Sequence, residues 1–186
     1  MFALVLGAGC PSRSLPPPPE DEPKHDEGPA CGKVFKDPKV HGGSGCCLDV
    51  SAGLLKTADI ASVCGLPAAS YLGQTRDGAA CRFHFGKPGV DPAEAFVMVS
   101  RPIVPAGTPA PMGPDPMLVW TWKKIALRDA LAYQAMATGH EPGLLDHQTI
   151  LWAGRGRRIV GLHASKQLCD EAQAAQLLQK AIDAVP

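Results

Sequence analysis

Between Arg101 and Pro116 the chain carries six prolines, at 102, 105, 109, 111, 114 and 116. Proline lacks a backbone N–H and holds φ near −65°, so neither a helix nor an interior strand can run through such a stretch. This stretch must be a surface connection, and it divides the foldable chain into two blocks that have to meet across it. A second barrier, Pro16-Pro-Pro-Pro19, stands in a segment from 11 to about 45 that is rich in Pro, Gly and charge and poor in branched apolar residues. That composition buries too little surface to offset ordering entropy. The expectation is a flexible tether over 10–45 and a single domain over 46–186.

In the first block, Thr57-Ala-Asp-Ile-Ala-Ser-Val-Cys64-Gly65 predicts a short helix, with Thr57 as N-cap, Asp59 at the positive end of the dipole, and Gly65 and Pro67 as its stop. Ile60, Val63 and Cys64 share the face to be buried. Ala80–Phe85, which alternates, and Ala95–Ser100, which is more continuously apolar, are strand candidates. In the second block, Met117–Trp122 reads as a strand leading into a helix from about Leu127 to Thr138, ended by Gly139. Thr149–Ala153 and Arg158–Ala164, joined by a short Gly/Arg connection, predict a hairpin. From Lys166 to Val185, apolar Leu168, Ala172, Ala175, Leu178, Ile182 and Val185 recur at intervals of three and four, the pattern of an amphipathic helix. Strands in meander order with helices gathered on one side predict an α+β fold, a two-layer sandwich of mostly antiparallel sheet with the helices on one face.

The run Met1-Phe-Ala-Leu-Val-Leu-Gly-Ala-Gly-Cys10 places small residues and a cysteine directly after an apolar stretch. It is similar to the end of a bacterial lipoprotein signal peptide, with 1–9 as the signal remnant and Cys10 as the lipid attachment site, although no basic residue precedes the apolar run. The competing reading is the opening of a dinucleotide-binding strand, Val5-Leu-Gly-Ala-Gly9. It needs a helix at once, which Pro16–Pro19 would end, and the third glycine of that pattern is replaced by Ser12.

Lysine plus arginine and aspartate plus glutamate cancel at 18 each, which leaves no electrostatic footprint for nucleic acid. Arg155-Gly-Arg-Arg158 is the one dense basic cluster and reads as a solvated hairpin turn. Of the seven cysteines, six remain if Cys10 carries lipid, and an even number in an exported chain points to disulfides. Cys64 and Cys169, both on or near helix faces to be buried, form one candidate pair, or else two buried thiols. No C-x-x-C occurs, and adjacent Cys46-Cys47 is poor spacing for zinc.

Three stretches together resemble a broad family of exported bacterial lipoproteins of uncharacterised function. They are Leu54-Leu-Lys-Thr-Ala-Asp-Ile60 through Gly65, Cys81-Arg-Phe83, and Pro142-Gly-Leu-Leu-Asp146. Lys56 is an insertion in the first motif, and Leu145 replaces a glycine in the third. The resemblance covers roughly 46–186 and implies a small α+β domain in the cell envelope, held to the membrane by its N-terminal lipid. It also implies a disulfide from the start of the domain, Cys46 or preferably Cys47, to Cys81.

Candidate chemistry is sparse. His41-Gly-Gly-Ser44-Gly-Cys46 has Cys where a nucleophile elbow needs Gly, and its flanks are wrong for one. His140 and His147 with Glu141 or Asp146 fit no standard metal spacing. His84, between Phe83 and Phe85, should face solvent. Trp120, Trp122 and Trp152 could line a groove, but Trp120 and Trp122 share a face and read more simply as core against the C-terminal helix. The sequence thus assembles no catalytic, metal or cofactor site. The expected function is a lipid-anchored envelope domain that binds a protein partner without enzymatic activity. The alternative is an envelope hydrolase or metal-handling protein.

Overall fold

A computed structural model of the chain describes residues 33–36, 47, 53–102, 113–114, 121–136 and 143–185. The strand candidates of both blocks pair into one sheet, although residues 117–120 of the Met117–Trp122 candidate lie outside the described residues and the strand described there begins at Thr121. β1 (Tyr71–Asp77), β2 (Ala80–Phe85) and β3 (Phe96–Ser100) form a meander, as do β4 (Thr121–Leu127), β5 (Ala130–Met136), β6 (Gln148–Arg155) and β7 (Arg158–Ser165). The seven strands run in the order β1-β2-β3-β7-β6-β5-β4, and every neighbouring pair is antiparallel. The last strand in sequence is therefore the central one. Three α-helices accompany the sheet among the described residues: α1 (Thr57–Val63), α2 (Leu144–His147) and α3 (Glu171–Ala184).

The core lies between α3 and one face of the sheet. Ala174, Leu177, Leu178, Ala181 and Ile182 of the helix are buried with Val97 and Val99 of β3, Leu151 and Ala153 of β6, and Val160 and Leu162 of β7. These strand residues alternate along each strand, as one buried face requires. The helix is shorter than its apolar period suggested and starts at Glu171. Asp170 accepts a hydrogen bond from Gln173 N at 2.7 Å, and Gln173 Oε1 accepts one from Asp170 N at 2.9 Å, a reciprocal cap that fixes the first turn. Rotation set by that cap exposes Ala172 and buries Leu177 in its stead. At the other end, Asp183 accepts from Arg128 at 2.8 Å and Arg155 at 2.7 Å, so two hairpin turns are tied to the last turn of the helix. Arg155, with Gln179 and Arg128 adding to it, holds the Asp183 carboxyl below the usual carboxylate range. Arg155 is therefore an anchoring group, while Gly156, Arg157 and Arg158 of the same turn are exposed.

The helix expected over 127–138 is instead the turn Arg128-Asp129 and strand β5. Alanine, leucine, glutamine and methionine favour a helix locally. Here Asp129 takes a positive φ of 53°, which turns the chain back so that Leu127 faces Ala130. Ala132, fully buried, then packs opposite the equally buried Ala153 of β6. Tertiary pairing overrides propensity. Strand β1 was not anticipated at all. Its polar sequence is interrupted by Gly73, whose φ is 148° and whose missing Cβ would lie 2.5 Å from Phe35 N. That space admits residues 33–36 against β1, where Phe35 N donates to Gln74 O at 2.9 Å and Gln74 N donates to Lys33 O at 2.8 Å. In α1 the N-cap position is Lys56 with no side-chain cap, and Thr57 is already helical. Ile60, Ala61 and Cys64 are buried, and Val63 packs partly against the core.

Two disulfides cross these elements. Cys47 bonds Cys81 on β2 with Cα atoms 5.4 Å apart, and Cys64 at the end of α1 bonds Cys169 just before α3 at 4.9 Å. Disulfides of this kind persist outside the reducing cytosol. Cys10, Cys31 and Cys46, the tether ahead of residue 33, Trp120 and most of the proline-rich connection lie outside the described residues. Among the described residues no helix is long and apolar enough to cross a membrane.

Candidate ligand-binding cleft

At the end of the sheet where β5 stops and β6 starts, the chain leaves a half-open cleft of about 200 Å³. Several elements build it. Gln134 comes from β5, Gln148 and Thr149 open β6, Lys166 follows β7 and Glu171 stands in the first turn of α3. Asp146 of α2 completes the polar rim, and Ala135, Met136 and Leu145 supply an apolar side. Lys166 N donates to His147 O at 2.9 Å, which holds the post-β7 turn against α2 and sets one wall. Asp146 Oδ2 accepts from Gly143 N at 3.0 Å and so holds that short helix in place.

The polar groups of the cleft are conspicuously unspent. Thr149 is 2 % exposed, and its Oγ1 has no hydrogen-bond partner. A buried hydroxyl left in that state costs about 1–3 kcal/mol. Among the described residues, the side chains of Gln134, Gln148, Lys166 and Glu171 make no hydrogen bond or ion pair either. Residues carrying one cation, two carboxylates, two carboxamides and a hydroxyl thus line a small volume. Such groups can recognise a ligand by charge and hydrogen bonding.

The residues singled out in the sequence lie elsewhere. His84 is fully buried, not solvent-facing as expected. Phe83 and Phe85 do point into the core opposite it, but its own face is covered as well. Phe35 stacks on the imidazole at 4.1 Å between centroids, and Phe96 approaches at 6.0 Å. The ring is satisfied on both sides, by Pro92 O at 3.1 Å from Nδ1 and by Thr75 Oγ1 at 3.1 Å from Nε2. A carbonyl only accepts, so Nδ1 carries a proton and donates to Pro92 O, while the threonine hydroxyl satisfies Nε2. Trp122 pairs with Ala135 in register and lies on the face remote from α3, together with the Tyr133–Trp152 pair at 5.8 Å. It does not pack against the C-terminal helix. His147 is exposed at the end of α2, and His140, Glu141 and the His41–Cys46 stretch lie outside the described residues. Among the described residues no group of three or more His, Cys, Asp or Glu could hold a metal ion.

That remote face also carries His163 of β7, opposite Met98 of β3 and Ile150 of β6. Burial, and secondarily the Arg82 charge, lower its pKa from 6.5 to about 4. The folded chain thus binds fewer protons than the unfolded one between these values. Its contribution to stability is complete above pH 6.5 and lost as pH falls towards 4. Denaturant titrations across that window should show a loss of about 3 kcal/mol that His163→Gln largely removes. An identical pH profile in the variant would assign the loss to other groups.

No family model, curated protein or solved structure matches this chain. What it does has to be read from its own residues. The cleft was invisible in the sequence because its polar groups come from separate elements between Gln134 and Glu171. The one local signal was the Pro142-Gly-Leu-Leu-Asp146 stretch, which supplies Leu145 and Asp146.

Proposed function

We propose that the chain is a lipid-anchored protein of the bacterial cell envelope. Its folded part is an α+β sandwich of two layers that binds a partner and does not turn over a substrate. The observation that carries the reading is the pair of disulfides, Cys47–Cys81 and Cys64–Cys169, which belongs to an oxidising compartment. The apolar run ending in Gly7-Ala-Gly9 before Cys10 supports the anchor, and the proline-rich stretch after it supports a spacer between bilayer and domain. A polar cleft whose Gln134, Gln148, Lys166 and Glu171 side chains have no partner among the described residues supports a binding role.

Cell fractionation tests the anchor. Cys10→Ser should move the protein from the membrane to the soluble fraction and remove the mass of the acyl groups. A variant that still sediments with membranes, with unchanged mass, would show that Cys10 carries no lipid.

A further inference from the structure

We infer that the cleft between β5, β6, α2 and α3 is a binding site for a small zwitterion, a free amino acid or the charged end of a short peptide. This rests on the reading of the domain as a binding module and names the chemistry that module would recognise. The volume, about 200 Å³, lies below the roughly 300–1,000 Å³ of sites for drug-sized ligands and suits an occupant of amino-acid size.

The lining decides the class. Lys166 is an ammonium with no partner among the described residues and is available to a carboxylate. Glu171, equally unpartnered, is available to an ammonium. A simple anion would leave Glu171 opposing it, and a simple cation would meet Lys166. A molecule carrying both charges satisfies both. Gln134 and Gln148 line the same cleft and can donate and accept, as the polar atoms around an α-carbon require. Thr149 also lines the cleft, and its buried hydroxyl has no hydrogen-bond partner. Asp146 is already committed in part to Gly143 N and serves as a wall.

The test uses the full-length chain carrying Cys10→Ser, so that it can be purified without detergent. Calorimetric titration is run with each common free amino acid, with dialanine, with N-acetylalanine amide, which has no charge, and with propionate and ethylamine, which have one. Saturable binding of a free amino acid or of dialanine, absent for the blocked and singly charged probes, is the expected result. Preference between the free amino acid and dialanine separates the two sources of the same chemistry. Lys166→Gln and Glu171→Gln should each weaken the binding by about tenfold or more.

Equal binding of N-acetylalanine amide, indifference to both charge substitutions, or no heat with any zwitterion at about 10 mM, weaker than the millimolar range of the loosest specific sites, would overturn the inference. Mass analysis of the recovered ligand keeps the two readings apart. A ligand that binds but is returned chemically altered leaves the site standing and removes the non-enzymatic reading. An unaltered ligand supports both.

Discussion

Leu178→Ala is expected to destabilise the fold by about 2–5 kcal/mol, and Ile182→Ala by a similar amount. Both side chains are fully buried on α3, Leu178 at its middle and Ile182 in its last turn, and contribute to the same core as Leu151, Val160 and Leu162. Truncation removes the transfer free energy of the missing carbons and leaves a cavity between two elements that are held apart by their other contacts. The flanks of the helix are pinned by the Asp170–Gln173 cap at one end and the Arg128–Asp183–Arg155 cluster at the other, so collapse into the void is restricted. Gln176 is exposed on the same helix, and Gln176→Ala should change stability by no more than about 0.5 kcal/mol. Urea unfolding of the three variants checks the ordering. Equal, small effects at all three positions would mean that α3 is peripheral to the cooperative unit.

The second large effect concerns the cysteines. Cross-links act mainly by restricting the unfolded chain, and more so for longer loops. Cys64–Cys169 spans 105 residues and Cys47–Cys81 spans 34. Chain-entropy arithmetic then assigns about 5 kcal/mol to the first bridge and about 4 kcal/mol to the second. The paired substitution Cys64→Ser with Cys169→Ser should accordingly cost more than Cys47→Ser with Cys81→Ser. Both pairs are buried, so each double variant also places hydroxyls in the core, and Cys→Ala versions of the same pairs separate that penalty from the cross-link. Equal midpoints for oxidised and fully reduced wild-type protein would show that neither bridge contributes to stability.

How much of this was legible in the chain depended on whether the decisive contacts were local. The β6–β7 hairpin could be read because two apolar runs and a glycine turn lie side by side, and α3 because its period repeats over several turns. Residues 130–136 could not be read in the same way. Alanines at 132 and 135 favour a helix in isolation, and only their place between β4 and β6 makes small residues suit a strand. Strand β1 was hidden by Gly73, which looks like a break until Phe35, far away in sequence, is seen to need the space. His84 followed the expected alternation with its neighbours, but the cover on its own side comes from Phe35 and Phe96, on two other segments. The cleft failed for a similar reason, since Gln134, Lys166 and Glu171 converge only after the sheet has been assembled.

The position of β7 at the centre of the sheet has a consequence for the order in which the chain can mature. Among the described residues β1–β3 and β4–β6 share no strand pairing with each other, and within the sheet residues 158–165 join them. A chain emerging from its N-terminus can close each meander locally, but Val97 and Val99, already paired with β2, lack their second neighbouring strand until nearly the whole sequence has appeared. Cys64 must wait still longer, because its partner is residue 169. Premature oxidation could therefore pair Cys64 only wrongly, and a chain lost near its C-terminus would leave two half-sheets with open hydrophobic edges, the exposed strand that favours aggregation.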